Sequence, residues 1–268
     1  MSLRRLLIRP GAIGDFIVSM PAMECLRAAC LEIWCAEQNV PLARFADAAC
    51  SLGSTGLDLL GLPDVEPPPR LIERLRGFDS IVSWYGTNRR EFRQAVRGLP
   101  FHFLPALPSG CHAVDFHLAR VRALARCHVP PVPRIRCEVP REDFVVIHPF
   151  ASRAAKRWPL DRFEEVARRL GARWPVRWCA GPDEPLGGAV RIADLYELAC
   201  WLARARLYLG NDSGIAHLAA AAGTPVVVLF GPTDPAVWAP RGPRVRVLAP
   251  MESITPAQVV AAAECIIG

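Results

Sequence analysis

LGNDSGIAHLAAAAGTPVVVLFGPTDPAVW, residues 209–238, reads as a strand, a polar turn, an alanine-rich helix, a buried strand and a glycine-proline loop. Asn211, Asp212, Ser213 and Gly214 fall where the strand ends and the helix begins, so unpaired backbone N–H groups and the positive end of the helix dipole converge there. A phosphate is stabilised at such a point. An Asp or Ser cap in an ordinary α/β unit accounts for the same residues. The loop Gly231, Pro232, Thr233, Asp234 and Pro235 after the next strand strengthens the ligand reading, because sheet ligands sit where strand ends set two such loops side by side.

Outward from this stretch, the same alternation continues. FVVIHPF predicts a buried strand ending at His148, followed by a loop at 152–156 and a helix over 161–173. PVRWCAGP and RVRVLAP predict strands, LYELACWLARA a helix, and Thr255 caps a last helix that Pro256 opens and that runs to Ile267. Toward the N-terminus, RRLLIRP, LEIWCA and FDSIVSWYG predict strands, with a glycine turn at 11–15 and helices over 16–30, 89–98 and 114–127. The pattern over 39–76 is poor, and GLPDVEPPP within it marks a loop. The proline-rich run VPPVPRIRCEVP, residues 129–140, forbids a long helix and predicts an extended connector. Two α/β domains with parallel sheets are therefore expected, over 1–138 and 139–268.

Composition limits what the chain can be. With 51% hydrophobic and 22% charged residues it is a globular protein, and no apolar run reaches the roughly 20 residues of a spanning helix. The opening MSLRRLLIRPGAIGD lacks a signal-peptide core, which places the expectation in the cytoplasm. Ten cysteines lie scattered without a C-x-x-C pair and are expected to be reduced and mostly buried. The six histidines make no metal pattern with them, and the nearest approach to D-x-D, Asp64-Val65-Glu66, lies in a proline-rich loop, so no metal is expected. A net charge of +6 suits acidic small molecules, an anionic membrane surface or nucleic acid, but the arginines are dispersed and accompany no nucleic-acid recognition motif. Lys156 is the one lysine among 32 basic residues. Either it survives by chance or a compact ammonium is needed there.

Three motifs in order resemble those of the heptosyltransferase family of glycosyltransferases (glycosyltransferase family 9): LLIRPGAIGDFIVSMPAMECLR, HPFASRAAKRWPLDRFEEVARRL, and the opening stretch with its GPTDP. The resemblance implies a GT-B fold, two Rossmann-like domains facing across a cleft, with the acceptor on the first and a nucleotide-sugar donor on the second. It implies an inverting, metal-independent transfer of a heptose or related hexose from a nucleotide diphosphate, ADP-heptose among the candidates, to a saccharide or lipid-linked hydroxyl. No cofactor is implied, and the acceptor suggests peripheral contact with the inner face of the plasma membrane. Between residues 36 and 126 the likeness fades, so the acceptor is not inherited from better known members.

By the same resemblance Asp15, closing the Gly11 to Gly14 turn near the acceptor, is the general base; its alternative role is a helix N-cap. Lys156 and Ser152 would reach the diphosphate, Asn211, Ser213 and Gly214 would line the anion turn, and Asp212 would hold a sugar or ribose hydroxyl. His217 either touches the phosphates or packs. Glu184, in AGPDEPLGG, matches the family's acidic loop near the nucleotide only loosely. Thr233 and Asp234 are structural partners of the turn or ligands. Two rivals remain: a dinucleotide-dependent oxidoreductase, for which Gly11, Gly14 and Glu37 form only part of a fingerprint, and a non-catalytic nucleotide-sugar-binding partner protein.

Overall fold

The computed structural model describes residues 2–268, which divide into two units. One unit runs to Ser109 and resumes over Ala113–Pro131; the other takes Gly110–His112 and Val132–Gly268.

The first unit contains β1 (Arg4–Arg9), α1 (Ile13–Cys25), β2 (Cys30–Cys35), β3 (Ala48–Ser51), α2 (Pro69–Arg76), β4 (Ser80–Ser83), α3 (Arg90–Ala95), β5 (Phe101–Phe103) and α4 (Ala113–Val121). Its strands are all parallel, in the order β3-β2-β1-β4-β5. The order reverses between β1 and β4, the place where open parallel sheets bind ligands. Side chains alternate across the sheet, so Leu6 and Ile8 join Trp34, Ile81, Leu71, Leu75 and Phe92 in one core. Leu7 and Arg9 point to the opposite face, which α1 and α4 cover.

Several expectations for this unit are corrected. The helix predicted over 16–30 ends at Cys25, because Cys30 is already the first residue of β2 and its N–H donates to the Leu3 carbonyl at 3.2 Å. Helix α4 stops at Val121, short of the predicted 127. The strands β3 and β5 and a 3-10 turn over Glu37–Leu42 carry no periodic signal in the sequence, being short and, for the strands, half-buried or exposed. Nor are all cysteines reduced. Cys25 and Cys127 are joined by a disulfide, their Cα atoms 5.4 Å apart across 102 residues. The packing of α4 on α1 brings them within bonding reach, a proximity that spacing along the chain cannot reveal. The other eight are free thiols.

The second unit contains β6 (Val145–His148), α5 (Leu160–Leu170), β7 (Val176–Trp178), α6 (Leu195–Arg204), β8 (Leu207–Asn211), α7 (Gly214–Ala221), β9 (Val226–Leu229), α8 (Pro235–Trp238), β10 (Val245–Leu248) and α9 (Pro256–Ile267). These strands too are all parallel, in the order β10-β9-β8-β6-β7, with the switch between β6 and β8. Val145, Ile147, Leu207, Leu209, Val227 and Leu229 pack with Phe163, Val166 and Val259 from α5 and α9. Each such buried side chain contributes about 1.5–3 kcal/mol. Alternation sends Val146, His148, Tyr208 and Gly210 to the other face. Thr255 caps α9 as its sequence predicts, with Gln258 completing the box. Helix α5 ends three residues early, at Leu170, where Gly171 takes the C-cap. The proline-rich run forms no helix, and the Ile135 N–H donates to the Ala221 carbonyl at 2.8 Å. Among the described residues no helix is long and apolar enough to cross a membrane.

Candidate functional site

In the first unit the turn between β1 and α1 carries Gly11, Gly14 and Asp15. Asp15 is not the N-cap. Ala12 occupies that position and Asp15 is the third helical residue, its Oδ2 accepting the Ala12 N–H at 3.0 Å. This is the return half of a capping box, and it engages one carboxylate oxygen only. Gly11 has φ 113°, and a Cβ there would lie 2.9 Å from both Cβ and Oδ2 of Asp15, so the turn requires glycine. The Asn39 amide donates to the Gly11 carbonyl at 3.1 Å.

Beneath this turn lies Arg9, 2% exposed, a residue that the sequence reading passes over. Its guanidinium donates to the Asp15 carbonyl at 2.8 Å, the Pro10 carbonyl at 3.1 Å and Ser19 Oγ at 2.9 Å. A buried arginine thus fixes the first turn of α1 through the backbone and leaves the Asp15 carboxylate half-buried at the helix tip. Burial lowers the Arg9 pKa to about 10, opposed by the Asp15 charge. His117, fully buried on α4, is pushed down to about 3, by burial first and by Arg9 second.

In the second unit the site is built at the β6/β8 switch. Lys156 Nζ lies 2.7 Å from Asp212 Oδ2, with the two side chains 20% and 6% exposed. These residues, assigned separately to diphosphate and to a hydroxyl, are brought together as an ion pair. Asn211 is fully buried and holds the two loops to each other: its Oδ1 accepts the Trp158 N–H at 3.0 Å and its Nδ2 donates to the Pro149 carbonyl at 2.8 Å. With both ends of its amide engaged, Asn211 positions the Lys156 loop. Ser213 is the N-cap of α7, Gly214 its first residue, and His217 is buried one turn along. Ser152 is exposed on the Lys156 loop, which the Arg157 Nε closes by donating to the Ala151 carbonyl at 2.7 Å.

The neighbouring loops complete this edge. A Cβ on Gly231 would sit 3.1 Å from the Ala155 carbonyl, so the GPTDP loop abuts the Lys156 loop. Asp234 caps α8, its Oδ1 accepting the Ala236 N–H at 2.8 Å. Glu184 reaches the same sheet edge through a partner that the sequence reading missed: His148 Nε2 lies 3.1 Å from Glu184 Oε2, which also accepts the Gly181 N–H at 2.6 Å. Burial pushes the Glu184 carboxyl up, but the bonds from His148 and the Gly181 N–H, with the nearby Arg157 charge, outweigh it and hold the group below its ordinary value. The only sequence signal for His148 is its position at the end of a buried strand. Among the described residues no group of three or more His, Cys, Asp or Glu is placed to hold a metal.

The whole chain has the GT-B fold of solved glycosyltransferases. A family 9 glycosyl transferase from Veillonella parvula superposes with a TM-score of 0.78 at 18% identity, covering 99% of this chain and 97% of that one. The E. coli heptosyltransferase WaaC with ADP gives 0.75 at 15% identity, covering 98% and 99%. In sequence, lipopolysaccharide heptosyltransferase 3 of Escherichia coli is 33% identical over 116 residues, 37% of this chain; the match spans about a third of that relative's own length, 34%. Residues 119–264 match glycosyltransferase family 9 (heptosyltransferase), a span that takes in the Lys156 loop, the Asp212 turn and the GPTDP loop. Since that match extends over more than half of the 268 residues, the chain belongs to glycosyltransferase family 9.

Proposed function

We propose that the protein is an inverting glycosyltransferase that moves a heptose or related hexose from a nucleotide diphosphate donor to a saccharide or lipid-linked hydroxyl in lipopolysaccharide or surface-glycan synthesis. It acts in the cytoplasm or at the inner membrane face, with ADP-heptose the first donor to test, no cofactor and no divalent metal. The observation that carries this reading is the Lys156–Asp212 pair beside the α7 N-terminus at the sheet's switch point, in a chain of this family.

Asp15, through the carboxylate oxygen not engaged by Ala12, takes the proton of the acceptor hydroxyl as that oxygen bonds to the anomeric carbon. The bond from the anomeric carbon to the phosphate oxygen breaks, and its electron pair leaves with the diphosphate. Lys156 turns from Asp212 toward the growing negative charge, joined by the N–H groups at Ser213 and Gly214. Attack opposite the leaving group inverts the anomeric configuration. Ser152 and His217 are assigned to the phosphates, and Asp212 and Glu184 to hydroxyls of the donor.

Asp15→Asn is expected to keep donor affinity within a fewfold while turnover falls by roughly a hundred- to ten-thousandfold. Lys156→Ala is expected to weaken both. Calorimetry with ADP and a transfer assay with ADP-heptose check this. Parent-rate turnover by Asp15→Asn removes the base assignment, whereas binding without turnover in the parent favours the non-catalytic partner.

A further inference from the structure

Behind the donor edge of the second unit two polar groups with no assigned role, Tyr208 and His148, lead to Glu184. Tyr208 is fully buried and His148 is 3% exposed, both on the face opposite the Val145 and Ile147 core. The Tyr208 hydroxyl is 3.4 Å from His148 Nδ1, and His148 Nε2 is 3.1 Å from Glu184 Oε2. Burial holds the phenol neutral, its pKa well above 10. A carboxylate only accepts, so Nε2 carries the ring hydrogen toward Glu184, and in the neutral tautomer Nδ1 is left to accept from the phenol.

The sequence makes room for these groups. Gly210 pairs with His148 across the β6/β8 ladder, and a Cβ there would lie 2.6 Å from the Tyr208 hydroxyl and 2.7 Å from the His148 carbonyl oxygen. Both hydrogen bonds to the Glu184 carboxylate, from His148 and from the Gly181 N–H, fall on Oε2. Oε1 is left as an acceptor on a side chain 26% exposed.

We propose that Tyr208 and His148 are positioning residues that lock the Glu184 carboxylate in one orientation, so that Oε1 accepts the ribose hydroxyls of the nucleotide and selects for an intact ribose. This rests on the reading of the unit as the donor-binding unit. A charged acceptor held in place before the ligand arrives loses no orientational freedom on binding, and its hydrogen bonds are the stronger kind.

The test compares dissociation constants for ADP and 2′,3′-dideoxy-ADP by calorimetry. The parent is expected to favour ADP about tenfold, the order of one charge-assisted hydrogen bond. Glu184→Ala sets the ratio for a site without the carboxylate, near one. His148→Leu is expected to fall to that ratio by losing ADP affinity alone, His148→Gln, which keeps a donor at the Nε2 position, to recover most of it, and Tyr208→Phe to lie between. Thermal melting of each variant confirms folding. Equal weakening of both nucleotides in His148→Leu, or no recovery in His148→Gln, overturns the relay and reduces His148 to a packing residue. A Tyr208→Phe ratio equal to the parent's removes Tyr208 from it. A parent that binds neither nucleotide overturns the donor reading and the relay with it; a parent that binds both equally overturns the relay alone.

Discussion

The site turns of the two units are held by buried polar side chains at the ends of their central strands, but by opposite kinds of group. In the first unit the charged Arg9 donates to the Asp15 and Pro10 carbonyls from beneath α1. In the second the neutral amide of Asn211 both donates and accepts, tying the Lys156 loop to the Asp212 turn. A donor-only cation can gather carbonyls, and here it does so without using the Asp15 carboxylate. An amide matches one N–H and one C=O, which suits two loops that must keep a fixed spacing. In both cases a buried side chain that is not itself assigned to chemistry holds the turn that carries those that are.

The largest effect expected from breaking this arrangement is in the second unit. Asn211→Leu leaves the Trp158 N–H and the Pro149 carbonyl buried without their partner, and stranded groups of this kind cost about 1–3 kcal/mol each. Denaturant unfolding should therefore show a loss of about 2–5 kcal/mol, whereas Ser152→Ala, at an exposed position on the same loop, should change stability by less than about 0.5 kcal/mol. Similar small losses in both variants would mean that the amide merely fills space.

This contrast also explains what was legible in the sequence. The second unit shows itself because each strand is a short apolar run closed by a polar turn, and the turn residues are those of the candidate site. Lys156 stands out by composition alone. The positioning groups do not. Arg9, His148 and Tyr208 lie within strands, where a polar residue among apolar ones carries no sign of its partner; the side chains they meet, Ser19, Glu184 and His148, are 10, 36 and 60 residues away. The weak region over 39–76 folds as 3-10 turns, one four-residue strand and a short helix, elements too brief for periodicity to register. The Cys25–Cys127 bond depends on how α1 and α4 pack, which is tertiary information.

A second, smaller difference between the units lies in how each responds to acid. His117 in the first unit titrates near 6.5 when unfolded and about 3 when folded. Between those values the unfolded chain binds a proton that the native one refuses, so this contribution is full above pH 6.5 and is lost as the pH falls toward 3. Glu184 in the second unit is depressed from the ordinary carboxylate value, so its contribution is full above that value and is lost only as the pH falls through the lower, folded one. His117→Phe should flatten the decline in melting temperature between pH 6.5 and 4, with the parent losing on the order of a few kcal/mol across that window. Glu184→Gln should change the curve only at more acidic pH. A parent curve that is flat down to pH 4.5 would show that the buried imidazole is protonated in the native state.

The smallest effect concerns the cause of that depression. Burial comes first and the Arg9 charge second, so Arg9→Met should raise the His117 pKa only part of the way from about 3 toward 6.5. The one Ser19 hydroxyl hydrogen, within reach of both the Asp15 and Phe16 carbonyls, still serves them in this variant, which keeps the first turn of α1 partly held. An NMR titration of the His117 ring protons measures the shift directly. A return to the unperturbed value would mean that charge, not desolvation, dominates beneath α1, and the first unit would then be organised around Arg9 far more strongly than its packing indicates. A small rise instead places the dry environment between α1 and α4 as the main constraint, with Arg9 tolerated there because each of its three guanidinium nitrogens meets an acceptor.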